Sequence, residues 1–382
     1  MPLSLIFTND WELFGDGSGD YFTLQHKPLA DMLDIFDSYG AKISVMAEVG
    51  QQLAHKKLAA QYGWASNISK AWEEILCETL KRGHDVQLHL HPQWLGAVHD
   101  GNKWKLDNSR WAISSLPPDG IESALQSGKD YLDSIFKPVK NDYECNCYRA
   151  GAYYIEPSEI VIDKLKRIGF RCDTSVTKGL VSKPHYDYSD ANSNILPWQI
   201  SDKSVKYKSL SNNGLIELPI YSEIGYDSEA LKKYAPEFYY RLKFGVNVPI
   251  DEIDWLRSRD ALKNKLYPKE NRYYKTSEKK NLLWYASKFL SKSAIQLDYD
   301  YLPATAFTAI ISRIFRNKLI IKYLNHGFTV PVVASGHVKD MPDCRNIEKI
   351  LKILKSEFGS DIIFQTLTQA RQAADEIIES IN

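Results

Sequence analysis

Charge of one sign is what this chain most plainly lacks. Lysine plus arginine equals aspartate plus glutamate at 48 each over 382 residues, a formal net charge of zero. Without a cationic excess there is no broad footprint for nucleic acid, and no nucleic-acid partner is expected. Long apolar runs are missing too: no stretch approaches the ~20 apolar residues that span a bilayer. The start reaches only Leu5, Ile6 and Phe7 before polar Thr8, too short and too uncharged for a secretory signal. The five cysteines are an odd count. Cys145-Asn146-Cys147 has the wrong spacing for a zinc ribbon and no second pair, while Cys77, Cys172 and Cys344 are scattered. Reduced thiols in a cytoplasmic setting are the expectation. Gly15, Gly17 and Gly19 lack the lysine and the spacing of a phosphate-binding loop. No internal repeat or low-complexity segment stands out.

What is present begins with Gly83-His84-Asp85-Val86-Gln87-Leu88-His89-Leu90-His91-Pro92-Gln93-Trp94. Side chains alternate along a strand, so Val86, Leu88 and Leu90 point one way while Gln87, His89 and His91 point the other. Two imidazoles then face one opening, as a metal site requires. On its own the pair is equally explained by hydrogen-bonded histidines on a half-buried strand.

The chain start repeats the pattern, with the apolar strand Leu3 to Thr8 running into Asn9-Asp10-Trp11-Glu12. In extended backbone Asp10 and Glu12 share a face, a compact way to present two carboxylates with different jobs. Helical spacing of Leu29, Met32, Leu33 and Phe36, ended by Gly40, is followed by a strand from Lys42 to Val49 and a helix carrying Trp72, Ile75, Leu76 and Leu80. Further helices are predicted at 120–136 and 157–168, with strands at 145–148, 169–173 and 215–220. Such alternation predicts an α/β fold, a barrel or doubly wound sheet, with chemistry at the carboxyl ends of the strands. Arg149 follows one of these ends and is itself followed by Gly151, which permits close backbone approach. An arginine there could hold Asp10 ionised and aimed. Asp173 ends the next strand. His337 follows the apolar strand Phe328 to Ser335, where a barrel's last strand would place it.

Between about Tyr226 and Tyr301 lysine and tyrosine dominate. Helices are predicted at 234–244, 252–266 and 278–289, and the segment is read as an insertion or lobe near the barrel mouth rather than a separate domain. Its basic, aromatic face could touch anionic glycan, a membrane surface or a partner protein. A helix at 307–325, another at 347–358, a strand at 362–366 and a last helix from Leu367 complete the chain.

The ordered set Asp10/Glu12, His89/His91, Arg149, Asp173 and His337 resembles the polysaccharide deacetylase (NodB-homology, carbohydrate esterase) superfamily. The resemblance spans roughly residues 3 to 225 and 295 to 375. Gly83 to His89 is similar to the family's Gly-His-Glu-Ile-Gly-x-His, Tyr148-Arg149-Ala150-Gly151 to its Arg-x-Pro motif, and Gly336-His337-Val338-Lys339-Asp340 and Phe364-Gln365-Thr366-Leu367 to its later motifs. It implies a distorted (β/α) barrel, here with a helical insertion late in the chain. It also implies one divalent metal ion, most often zinc, held by a carboxylate and two histidines. Where the family opens with adjacent aspartates this chain has Asn9-Asp10-Trp11-Glu12. One match makes Asp10 the base and Glu12 the ligand; the other makes Asp10 the ligand and leaves Asn9 in the base's place. The family's second histidine falls at Gln93, so His91 would serve instead.

On this resemblance Asp10, Arg149 and His337 are the catalytic set, and Glu12, His89 and His91 the metal ligands. Trp11, Trp94, Tyr153 and Asp173 would contact substrate. The implied activity is metal-dependent removal of acetyl from an N-acetylated amino sugar in surface-glycan or lipopolysaccharide-type assembly. The alternatives are a catalytically degenerate glycan-binding or assembly protein, and an amidohydrolase acting on a small non-sugar amide.

Overall fold

The structure is a computed structural model that describes residues 1–182, 185–226, 228–267 and 292–381. It is an α/β protein built on a curled, mostly parallel sheet. Strands β1 (Leu3–Trp11), β2 (Ile43–Glu48), β3 (Asp85–Leu90), β4 (Cys147–Ala150) and β5 (Cys172–Asp173) lie side by side in chain order. β7 (Ile216–Glu217) follows β5, and β10 (Val330–Ala334) pairs β1 on its other side. The antiparallel strand β6 (Trp198–Gln199) flanks β7. The two ends of the sheet meet where Ile220 bridges Val333 and the Tyr221 amide donates to the Val333 carbonyl at 2.9 Å. The seam after β7 therefore curls the sheet into a distorted barrel. The last strand, β11 (Ile362–Phe364), pairs only the first residues of β1, on the flank that β2 leaves free.

Strand parity sorts the side chains as expected. Val86, Leu88 and Leu90 join Leu5, Phe7 and Trp11 in the outer core under the helices. The inner core holds Ile6, Met46, Cys147, Cys172, Ile216, Ile220 and Val333. The helix α12 (Leu367–Ile381) adds Leu367, Ala370, Ala374 and Ile378 to that inner cluster and so plugs the amino end of the barrel. Its first turn is held by the strands it plugs: Ser44 Oγ accepts from the Leu367 amide at 2.8 Å and Asp85 Oδ2 from the Thr368 hydroxyl at 2.9 Å. A carboxylate at a helix start also offsets the helix dipole. The amino end of the barrel is thus closed by apolar packing and by these hydrogen bonds.

Helices α1 (Lys27–Ser38), α3 (Gly63–Lys81), α4 (Pro118–Phe136) and α5 (Glu159–Ile168) lie close to expectation. Helix α2 (Val49–Leu58) was not foreseen, because Gln51, Gln52 and His55 on its buried side hide the apolar period. Instead Glu48 caps it, Oε1 accepting from the Gly50 amide at 2.7 Å. The strand expected at 145–148 lies two residues later, which takes Arg149 into β4. The single helix expected at 307–325 is two, α9 (Ala304–Phe315) and α10 (Lys318–Asn325), because Asn317 Oδ1 accepts from the Leu319 amide at 2.9 Å and starts a new helix. Helix α11 (Arg345–Phe358) follows β10.

The lysine- and tyrosine-rich segment leaves through β8 (Ser222–Tyr226) and returns through its antiparallel partner β9 (Lys292–Gln296). Between them stand α6 (Glu229–Tyr234), α7 (Pro236–Phe244) and α8 (Ile250–Leu266). The helix expected at 278–289 lies outside the described residues. Tyr239, Tyr240, Phe244, Ile253 and Trp255 belong to the same buried cluster as the barrel's outer layer. Arg259 of α8 donates to the Asp300 carbonyl at 2.7 Å, and Lys263 reaches Asp340 Oδ2 at 2.7 Å, which sets this helix over the barrel mouth. No helix among the described residues is long and apolar enough to cross a membrane.

Candidate metal and catalytic site

The carboxyl ends of β1 to β4 bring Asp10, Glu12, Glu48, His89, His91 and Arg149 together, all buried. Glu48, His89 and Arg149 are register partners on β2, β3 and β4, so parallel pairing alone aligns them. Asp10 and Glu12 face this group. Asn9, at the opposite parity, donates instead to the Tyr299 hydroxyl at 2.7 Å, so the two carboxylates that share the opening are Asp10 and Glu12.

Arg149 Nη1 donates to Asp10 Oδ1 at 2.6 Å, while its Nε and Nη2 donate to the Thr174 carbonyl and hydroxyl at 3.0 and 3.2 Å. The guanidinium is thereby locked on both sides. Burial alone would raise the Asp10 carboxyl, but Arg149, His89 and His337 outweigh it and hold Asp10 below the ordinary carboxylate range. Asp10 is an ionised carboxylate in a buried place, with its free oxygen toward the opening.

Beside it, Glu12, Glu48, His89 and His91 each offer a ligand atom, all within 4.8 Å of one another. Glu12 Oε2 lies 2.6 Å from His91 Nε2 and 3.5 Å from His89 Nε2. Each imidazole is fixed through its other nitrogen. His89 Nδ1 donates to the Arg149 carbonyl at 3.0 Å, and His91 Nδ1 meets the Gln93 amide at 3.1 Å. Both Nε2 atoms are buried and turned to the Glu12 carboxylate, while Gln93 Oε1 makes no hydrogen bond. With the Gln93 amide turned over, Oε1 accepts from His91 Nδ1–H and leaves Nε2 a lone pair toward Glu12. Two buried imidazole nitrogens converging on one carboxylate oxygen are a donor set that fits a divalent cation, and outer hydrogen bonds of this kind orient metal-binding histidines. Gln93 thus stands where the resemblance puts a second histidine, but contacts the ring that takes its place. Gly151 makes room for that ring, since a Cβ there would lie 2.6 Å from His91 Cγ.

Two further groups touch this centre. Lys339 Nζ pairs with Glu12 Oε1 and donates to the Leu13 carbonyl at 3.2 Å. Against the burial that would raise it, His91 and Lys339 hold Glu12 well below its ordinary value. Glu48 runs the other way, pushed up to about 8 by burial despite His91, with Glu12 adding to the rise. Its Oε2 accepts from the His91 amide at 2.7 Å. Glu48 was not singled out from sequence, although it ends β2 as the other site residues end theirs.

His337 follows β10 on the opposite side of Asp10, its Nε2 3.7 Å from Asp10 Oδ2 and its Nδ1 3.4 Å from Asp300 Oδ2. Desolvation would lower its pKa, but Asp300 and Asp10 carry it up to about 9. Asp298, which accepts from the Ser335 hydroxyl, is itself pushed to about 7 by burial and Asp300. Neither aspartate was foreseen. The alternation in Leu297-Asp298-Tyr299-Asp300 carried the same signal as Asp10 and Glu12.

Of the expected substrate contacts, only Tyr153 lines the open cavity beside His337. It and Ala152 hold left-handed backbone, at φ 63° and 51°, a conformation that costs a non-glycine residue about 1–3 kcal/mol. The other three are corrected. Trp11 is fully buried in the outer core, its Nε1 donating to the Gln25 carbonyl at 3.1 Å, because it alternates with Asp10 and Glu12 and must point away from them. Trp94 is buried against Ala54, Ala97 and Trp104, with no ring face left for a sugar. Asp173 is sealed in the barrel, where Ser175 Oγ donates to it at 2.8 Å and Glu217 shares a hydrogen bond with it.

No family model matches this sequence, and no curated protein does. Solved structures do. One described as a polysaccharide deacetylase from Mycobacterium smegmatis is 13% identical, with a TM-score of 0.46 over 98% of this chain and 91% of that one. One described as a polysaccharide deacetylase from Pseudomonas aeruginosa PAO1 is 8% identical, with a TM-score of 0.42 over 98% and 90%. A GH57-type branching enzyme from Pyrococcus horikoshii is 12% identical, with a TM-score of 0.44 over 97% and 70%.

Proposed function

We propose that this protein is a metal-dependent hydrolase of the polysaccharide deacetylase type. It would remove acetyl from an N-acetylated amino sugar during surface-glycan or lipopolysaccharide-type assembly. The observation that carries the reading is the pair of buried imidazole nitrogens converging on Glu12, set beside an Asp10 that Arg149 keeps ionised. The sequence motifs around His89, Arg149 and His337 point the same way. Glu12, His89 and His91 would hold the ion, and two histidines with one carboxylate suit zinc. A cation bound there would make a water nucleophilic near neutral pH and polarise the acetamide carbonyl.

The chain's own residues do the rest. Asp10 takes the proton from the attacking water, and Arg149 keeps that carboxylate ionised and aimed. His337, protonated at neutral pH between Asp300 and Asp10, gives a proton to the leaving nitrogen as the carbon–nitrogen bond breaks. Water is consumed, and acetate and a free amine leave. We read residues 1–382 as one barrel domain with 226–301 as its lobe, since both share one apolar cluster. A cytoplasmic setting agrees with five free cysteines.

The test is acetate release by zinc-loaded protein from a panel of N-acetylated glycans and nucleotide sugars. Hydrolysis that Asp10→Asn and His337→Ala abolish is the expected result. Bound zinc with no hydrolysis of any amide would turn the reading to a silent glycan-binding protein. One observation favours that second reading: Lys339 already sets a cation against Glu12. Turnover of small non-sugar amides alone would identify the third.

A further inference from the structure

A second group of metal-binding side chains stands on the other side of Asp10. Ligand atoms of Asp300, His337 and Asp340 all lie within 4.8 Å of one another. Short backbone contacts assemble them. His337 follows β10, and the turn Val338–Asp340 folds Asp340 back beside it, its amide donating to the His337 carbonyl at 3.2 Å. Asp300 is set in place through Asn346, whose Nδ2 donates to the Tyr299 and Leu302 carbonyls at 2.8 and 2.9 Å. One oxygen of each aspartate is already used: Asp300 Oδ2 accepts from the His337 amide at 3.2 Å, and Asp340 Oδ2 from Lys263 at 2.7 Å. The other oxygen, Oδ1, is buried in both and accepts no hydrogen bond among the described residues, where a buried carboxylate ordinarily fills its lone pairs. The short contacts of the His337 ring run to Asp300 Oδ2 and Asp10 Oδ2, so they account for neither Oδ1 atom. His337 also reaches the cavity of about 730 Å³ beneath the lobe, which gives an ion a way in.

We propose that Asp300, His337 and Asp340 form a second, weaker site for a divalent transition-metal ion, whose occupation stops His337 from acting as the acid. Two carboxylates and one imidazole are ligands that zinc accepts. Binding through Nδ1 displaces the proton that this nitrogen holds toward Asp300; the proton goes to solvent, and the neutral ring is no longer an imidazolium donor. His337 faces Asp10, Asp298, Asp300 and Asp340, with Lys339 and Lys263 as the cations beside them. The ion therefore competes with a proton and with Lys263, which keeps the Tyr301 hydroxyl at 2.7 Å as a partner when it is displaced. That competition makes this the site that fills only in excess. Excess of the metal that supports turnover would thus suppress it. This inference rests on the deacetylase reading for the effect on turnover, and on the three side chains alone for what binds.

Zinc titration of the wild type, His89→Ala and Asp340→Asn, read by equilibrium dialysis with elemental analysis, separates the two sites. The wild type should take two ions, the second only in excess. His89→Ala should lose the tight ion and keep the weak one. Asp340→Asn should keep the tight ion and bind the weak one at least about 10- to 100-fold less well, since loss of an outer hydrogen-bond partner alone costs that much. In nuclear magnetic resonance of the wild type, the His337 ring signals should follow the second equivalent of zinc, a readout that needs no variant to fold. Acetate release should rise with the first equivalent and fall with the second, and should no longer fall in Asp340→Asn. A wild type that takes a single ion in excess zinc, or a second ion that leaves the His337 signals in place, overturns the inference, as does steady turnover while the second ion binds. Two ions with the His337 shift but no acetate release at all support the site and count against the deacetylase reading.

Discussion

His89 and His91 lie on one side of Asp10 and His337 on the other, and their ring nitrogens meet different neighbours. A backbone carbonyl and a side-chain amide face the Nδ1 atoms of the first two, which fixes ring orientation without adding charge. Their Nε2 atoms converge on the Glu12 carboxylate. His337 instead stands between the carboxylates of Asp300 and Asp10, which hold a proton on it. A lone pair suits a metal ligand and a proton suits a general acid, so residues of one type acquire different chemistry from their surroundings.

Crossing the two sides gives the largest expected effects. His89→Ala should lose stoichiometric zinc and activity together, whereas His337→Ala should keep its zinc, measured by elemental analysis, while turnover falls about 10²–10⁴-fold. Zinc lost from both variants would break the comparison. A smaller effect comes from Gly151→Ala, whose methyl group would push the His91 ring off its place. Zinc affinity should fall about 10- to 100-fold, as for other changes that disturb ligand orientation, with the His337 titration untouched. An unchanged affinity would remove His91 from the ligand set.

Much of this contrast was legible in the sequence because it depends on strand parity, which is local. Alternation alone put Gln87, His89 and His91 opposite Val86, Leu88 and Leu90, and paired Asp10 with Glu12. The same rule excludes Trp11 from the site, yet its aromatic ring suggested a sugar platform; chemistry was allowed to override parity. Asp298 and Asp300 went unseen because they return to the mouth only after the inserted lobe, and no local pattern tells a segment which strand end it will join. Buried Gln51, Gln52 and His55 concealed α2, since satisfied polar groups erase the period on which helix prediction depends. That α12 plugs the barrel is a matter of tertiary packing, for which its amphipathic sequence says only that one face is apolar.

The remaining predictions concern pH. His337 has a folded pKa raised to about 9 from 6.5, so its contribution to stability is fully present below pH 6.5 and is lost as pH rises through 9. Activity that needs its proton should fall on the same limb, about tenfold per unit above pH 9. Asp300→Asn keeps a hydrogen-bonding group beside the ring but removes its charge. Burial, the largest influence on His337 and a lowering one, then faces Asp10, Asp298 and Asp340 without Asp300. A hydrogen bond to a charged group contributes about 1.5–3 kcal/mol, so the alkaline limb should move down by about one to two pH units. The His337 ring signals in zinc-free protein, followed by nuclear magnetic resonance, should shift to the same extent. A limb that stays near 9 would mean that Asp10, Asp298 and Asp340 hold the proton without Asp300.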